Sequence, residues 1–263
     1  MTKPAIFEDK KRLIDLPFGD DKTKTLPLGL NSVKWGTIWL ISLAWFLFAT
    51  FVTFPTGLIH VLEKLPLGVE IFNFLMNSSL FIVPFLALCA FAGRAIKGLF
   101  KPFHSSQIKF MIGMFFAAFF GSSVAGDLAK LFGPMTTNAH VVEDKTGALS
   151  KFITVALNSI GGLLGEELLT LIVFFLIYSL AIKKLNRETT ILLALIGSSL
   201  VFGLYHLPTY GYNVAQSILV IGVVRFFLSA VYIRTKSIWA SFLTHYAYDM
   251  ILFSIGLIAT LHK

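Results

Sequence analysis

Formal charge is scarce in this chain: 14% of its 263 residues are Asp, Glu, Lys or Arg, against 56% that are apolar. With a mean hydropathy of +0.79, this composition excludes an ordinary soluble domain and indicates a polytopic membrane protein. Cysteine is nearly missing. The single Cys89 lies in an apolar run, so no intramolecular disulfide is available, and the thiol reads as a small buried apolar residue. An early apolar core is missing too. The first 34 residues carry mixed charge, which argues against a cleaved signal peptide and reads as a solvated tail, with a short amphipathic turn around Ile6 to Leu16. A basic stripe is also lacking. The formal charge of +8 comes from Lys and Arg set between apolar runs, as loops beside a membrane require and nucleic-acid binding does not. There is no internal repeat and no low-complexity tract.

What is abundant is long apolar sequence. Runs at about 36 to 62, 69 to 92, 110 to 132, 152 to 182, 190 to 210, 212 to 233 and 237 to 261 each approach the ~20 residues that a helix needs to cross a bilayer. The expected fold is an all-α, polytopic transmembrane helical bundle of about seven spans. Residues 1–35 form an amino-terminal tail, 36–150 a first group of spans with an external loop, and 151–263 the core that carries the chemistry. Of the 22 basic residues, seven fall in 1–35, four in 93–109, three in 183–189 and two in 234–236. All four segments share one side of a seven-span arrangement, and the positive-inside rule makes that side cytoplasmic. The amino terminus is then inside and Lys263 outside, in a multi-pass membrane protein. The longest external loop, Gly133 to Ser150, includes Glu143, Asp144 and Lys145.

Against this apolar background a few ionisable residues stand at lipid depth, where a charge costs at least a few kcal/mol unless it faces a protein interior. Glu166 and Glu167 sit mid-span after Gly161-Gly162-Leu163-Leu164-Gly165, with no other formal charge between Phe152 and Ile182. The glycines let a neighbouring helix approach closely. Adjacent helical residues point about 100° apart, so one glutamate serves the cavity and the other the scaffold. Phe202-Gly203-Leu204-Tyr205-His206-Leu207-Pro208 stacks Phe202 one turn below His206. His245 and Asp249 share a helix face at i, i+4 spacing and suit metal binding, carbonyl polarisation or retention of one imidazole tautomer. Each set has a plain structural alternative: a satisfied carboxylate, a helix-end histidine, a His–Asp bond that only knits helices. Arg225, the lone charge of the sixth run, is either a counter-ion to a carboxylate or a snorkelling side chain. Asp127 and Lys130 read as a helix-end pair. Trp35, Trp39 and Trp239 fit an interfacial aromatic belt, with Trp45 deeper.

In this order, Glu166-Glu167, Phe202-x-x-x-His206 and His245-x-x-x-Asp249 resemble the E-E-x-x-x-R, F-x-x-x-H and H-x-x-x-N/D motifs of the CPBP intramembrane proteases. That family includes the CAAX prenyl endopeptidases of the Rce1 type. The resemblance covers roughly residues 150 to 255. It implies an intramembrane endopeptidase acting on a membrane-associated or lipidated peptide or protein, a class linked in bacteria to bacteriocin self-immunity and peptide-signal maturation. It further implies that Glu166 and His206 activate the attacking water, that Glu167 supports them, and that His245 with Asp249 polarises the scissile carbonyl or stabilises its oxyanion. Such proteins are described both as metalloproteases and as metal-independent glutamate-type proteases. His206, His245 and Glu166 form a three-ligand set of the kind catalytic zinc uses, although no H-E-x-x-H pattern is present.

One position departs from the motif. Where the family has arginine, five residues after Glu166, this chain has Leu171. That loss keeps open a non-catalytic scaffold or immunity protein of the same family. A proton-coupled transporter, using Glu166, Glu167 and Asp249 as relays, is the third reading. Depth raises a further difficulty: at ~1.5 Å per residue, His206 lies roughly 10 Å farther from the cytoplasmic helix ends than His245. Straight, upright helices do not bring the two rings together.

Overall fold

The structure, a computed structural model, describes residues 26–138, 141 and 145–262. The turn expected near Ile6 to Leu16, together with Glu143, Asp144 and Lys263, lies outside the described residues. Among those described, eight α-helices follow in chain order: α1 (Ser32–Phe51), α2 (Thr56–Glu63), α3 (Gly68–Ala92), α4 (Ile108–Lys130), α5 (Ala148–Ala181), α6 (Arg187–Tyr205), α7 (Gly222–Thr235) and α8 (Ile238–Leu261). The one departure from helical pairing among them is an isolated antiparallel bridge between Phe100 and Ser237. Among the described residues seven helical segments are long and apolar enough to cross a membrane, in agreement with the hydropathy pattern. The protein is a multi-pass integral membrane protein.

Where boundaries differ from expectation, proline and asparagine explain the difference. The first run divides: α1 ends at Phe51, Val52 turns extended, and Pro55 caps the short α2, which buries none of its residues. Proline has no N–H and disfavours helix in the residue before it, which favours a break at this point. The fifth run stops at Tyr205, five residues early, because His206 leaves the helix as its C-cap and Pro208 follows. Asn31 and Asn186 open α1 and α6 by accepting bonds from the amides of Lys34 and Thr189, the usual N-cap arrangement.

Helix α5 is the central element, with α1, α3, α6 and α8 packed against it. Its residues Glu167 to Phe175 are buried without interruption, as a helix apolar on all sides should be. The glycine seam is real: a Cβ on Gly165 would lie 2.7–2.8 Å from backbone atoms of Leu80 and Phe81, and Gly161 abuts Ser78. This close approach fixes the rotation of α5 against α3, and therefore the directions of the next two side chains. Helices α7 and α8 complete the bundle with α4, which packs against both. Trp35 is fully buried against Phe175 at a ring separation of 5.1 Å. It is a core residue, not a member of an interfacial belt.

The depth mismatch between His206 and His245 is removed by a sunken turn. Thr235, Lys236, Ser237 and Ile238, which join α7 to α8, are all buried. Segment 99–101 covers them: Leu99 O accepts from Ile238 N, and Lys101 O accepts from the Ser237 hydroxyl. Helix α8 therefore starts beneath the protein's own surface. Counting from a common level of helix ends is wrong for that helix.

Candidate active site

The rotation set by Gly165 sends the two glutamates to different places. Glu166 has a side chain 26% exposed and lines a cavity of about 760 Å³, whereas the Glu167 side chain is 2% exposed and bonded inward. This is the division that 100° of helical rotation dictates. The cavity lies between α4 and α5. It runs from Glu166, His206, His245 and Asp249 to Asp127 and Lys130 at the far end of α4, where those two residues form the expected helix-end pair at 2.8 Å. A second cavity of about 320 Å³, lined by Phe46, Ala49 and Leu169, shares Glu166, Phe202 and His206 with the first. The Glu166–His206 pair is thus reached from two sides.

The five residues singled out in the sequence come together. Glu166 Oε1 lies 3.7 Å from His206 Nε2 and Glu166 Oε2 lies 3.8 Å from His245 Nε2. His245 Nε2 is also 3.8 Å from Asp249 Oδ2, too long for a hydrogen bond. The knitting His–Asp bond is therefore not what this pair makes. His206 is held by its other nitrogen, Nδ1, 3.0 Å from the carbonyl oxygen of Phe202, and its ring stacks on Phe202 at 4.4 Å. A carbonyl can only accept, so Nδ1 carries the proton, and in the neutral ring Nε2 presents a lone pair toward Glu166.

Arg225 is the residue whose role the sequence left divided, and the structure makes it a counter-ion. Its side chain is fully buried, with Nη2 2.8 Å from Glu167 Oε1 and 2.8 Å from His245 Nδ1. Its guanidinium carbon lies 4.3 Å above the centre of the Phe202 ring, and Nη1 reaches Thr170 Oγ1 at 3.5 Å. An ion pair, an aromatic face and a hydroxyl together offset the desolvation of a buried cation. Leu171, at the motif's arginine position, is buried in the apolar core instead.

Two contributors had no sequence signal. Gln216 opens a π-turn (Gln216–Ile221) ahead of α7 and clasps the loop after α4 through both backbone groups of Thr136, each at 2.8 Å. Tyr210 accepts a bond from Asn138 at the same mouth. A lone glutamine in an apolar run shows its partner only once the loop is folded over it. Among the described residues no three His, Cys, Asp or Glu side chains gather as a metal-holding group.

A family model described as Type II CAAX prenyl endopeptidase Rce1-like matches residues 148–251. Over those residues the chain is similar to the Rce1-like family. The Rce1-like segment begins at the first residue of α5 and ends within α8, so it contains all five site residues and Arg225. The matched family is described as one of CAAX prenyl endopeptidases, which are hydrolases. Searches of curated proteins and of solved structures each returned no match.

Proposed function

We propose that this chain is an intramembrane endopeptidase that hydrolyses a peptide bond in a membrane-associated or lipidated peptide or protein. The observation that carries the reading is Glu166, one carboxylate set between two imidazoles from different helices at the wall of a 760 Å³ cavity. In this reading a water between Glu166 Oε1 and the His206 Nε2 lone pair attacks the scissile carbonyl carbon as its proton passes to Glu166. The carbonyl oxygen gains the negative charge and is met from the other side by His245, backed by Asp249. Collapse of the tetrahedral intermediate breaks the C–N bond while Glu166 returns the proton to the leaving nitrogen. Such proton transfer contributes about 10²–10⁴-fold, and one oxyanion donor about 10²–10³-fold.

The missing motif arginine was the ground for a non-catalytic scaffold. Arg225, paired with Glu167 from another helix, weakens that ground. The deciding experiment uses purified full-length protein in liposomes with two synthetic peptides, one bearing an S-farnesyl cysteine followed by an aliphatic tripeptide and one unmodified. The expected result is release of a carboxy-terminal fragment, detected by mass spectrometry, from the lipidated peptide. If neither peptide is cut by wild-type protein that is folded and correctly inserted, the scaffold reading replaces this one.

A further inference from the structure

We propose that Arg225 is a positioning residue that holds His245 in its Nε2–H tautomer, so that this ring presents a donor to the cavity while His206 presents an acceptor. The proposal rests on the proteolytic reading for its consequence but not for its geometry.

Arg225 Nη2 carries two protons and no lone pair. One neighbour, Glu167 Oε1 at 2.8 Å, can only accept; in the proposed arrangement the other, His245 Nδ1 at 2.8 Å, accepts as well, so that the guanidinium nitrogen gives one proton to each. Nδ1 is therefore bare, and in the neutral ring the proton sits on Nε2. From there it points toward Glu166 Oε2 and Asp249 Oδ2, each 3.8 Å away, two acceptors placed where an N–H is wanted. A doubly protonated ring would set a second cation against the guanidinium with donor facing donor.

A competing arrangement is close at hand. His245 Nδ1 also lies 2.9 Å from Glu167 Oε1, so without Arg225 the ring would donate Nδ1–H to Glu167 and turn a lone pair on Nε2 into the cavity. The carboxylate alone thus favours one tautomer and the arginine the other. Arg225 is held to its task by the Phe202 face and the Thr170 hydroxyl. No cation of α5 competes with it, since the motif's arginine position is the buried Leu171.

The same residue contacts explain why the two histidines differ. His206 donates through Nδ1 to a carbonyl and keeps its Nε2 lone pair; His245 receives through Nδ1 from a guanidinium and keeps its Nε2 proton. Water activation needs the former and oxyanion stabilisation the latter. A zinc ion would need a lone pair on both.

The test is nitrogen NMR of full-length protein labelled with 15N-histidine in lipid nanodiscs, with His245→Gln used for assignment. The expected wild-type signal has Nδ1 unprotonated and Nε2 protonated. Arg225→Leu should reverse that pattern, and Arg225→Lys, which restores a donor, should return it at least in part. A wild-type His245 protonated at Nδ1, or an unchanged tautomer in Arg225→Leu, overturns the proposal. If Arg225→Leu does not fold, the wild-type and Arg225→Lys spectra decide alone. In the cleavage assay with the farnesylated peptide, Arg225→Leu should lower kcat about 10²-fold with KM little changed. A wild-type protein that cuts neither peptide refutes the protease reading while the spectrum still rules on the tautomer.

Discussion

Glu166 and His206 face each other across 3.7 Å, one from the middle of α5 and the other from the cap of α6. The gap is too long for a direct hydrogen bond and suits a single water that bonds to both. Glu166→Gln and His206→Gln should each lower kcat for the farnesylated peptide by about 10²–10⁴-fold with normal membrane insertion. If the two act on one water, the double variant should be little worse than the poorer single. Independent, multiplying losses would separate them.

Glu167 and Arg225 form a pair that excludes water from both partners. Removing the carboxylate alone leaves a buried, uncompensated cation, so Glu167→Leu should cost about 3–5 kcal/mol of stability. The double variant Glu167→Leu/Arg225→Leu should recover much of that loss. Thermal unfolding in detergent, followed by helical signal and by exposure of Cys89, compares the three.

The glycine seam predicts a contrast between near neighbours. A methyl group at Gly165 meets the backbone of α3 at 2.7–2.8 Å, whereas one at Gly162 meets Asn77 Oδ1 at an ordinary 3.7 Å. Gly165→Ala should therefore destabilise by about 1–3 kcal/mol as α3 is pushed away. Gly162→Ala should be neutral or slightly stabilising, since alanine is the better helix former. Equal effects of the two changes would show that the seam is not what sets α5.

The donor assignment at His245 carries an expectation about metal. Cleavage of the farnesylated peptide should persist after exhaustive dialysis against 1,10-phenanthroline, and elemental analysis of active protein should find zinc well below one per chain. Activity lost to the chelator and regained with zinc would return His206, His245 and Glu166 to the role of ligands.

The positive-inside reading is tested by labelling. In a Cys89→Ser background, His60→Cys on the exposed α2 should react with an impermeant maleimide in intact cells, and Lys184→Cys between α5 and α6 only after permeabilisation. The opposite pattern would invert the bundle.

Much of the site was legible in the chain because a charge at lipid depth has few explanations. Glu166, Glu167, His206, His245 and Asp249 stood out on that ground alone, and helical rotation already required the two glutamates to part. The family resemblance pointed to Glu166 as the one serving the cavity, but the residues alone did not say which glutamate faces it. That depends on Gly165 seating against Leu80 and Phe81, a contact between helices far apart in sequence. Trp35 was misplaced for a similar reason: a tryptophan near a span end fits an interface until the packing of α5 covers it.

Local rules therefore determined the number of apolar helices long enough to cross a membrane among the described residues, and the polar residues that lipid forbids, because each follows from a residue and its immediate neighbours. Tertiary structure alone decided the depth of His245, through a turn buried under residues 99–101, and the partners of Arg225, which come from α5, α6 and α8. Those outcomes turn on distances between separate helices, and in a bundle such distances are set by side-chain packing across the whole molecule.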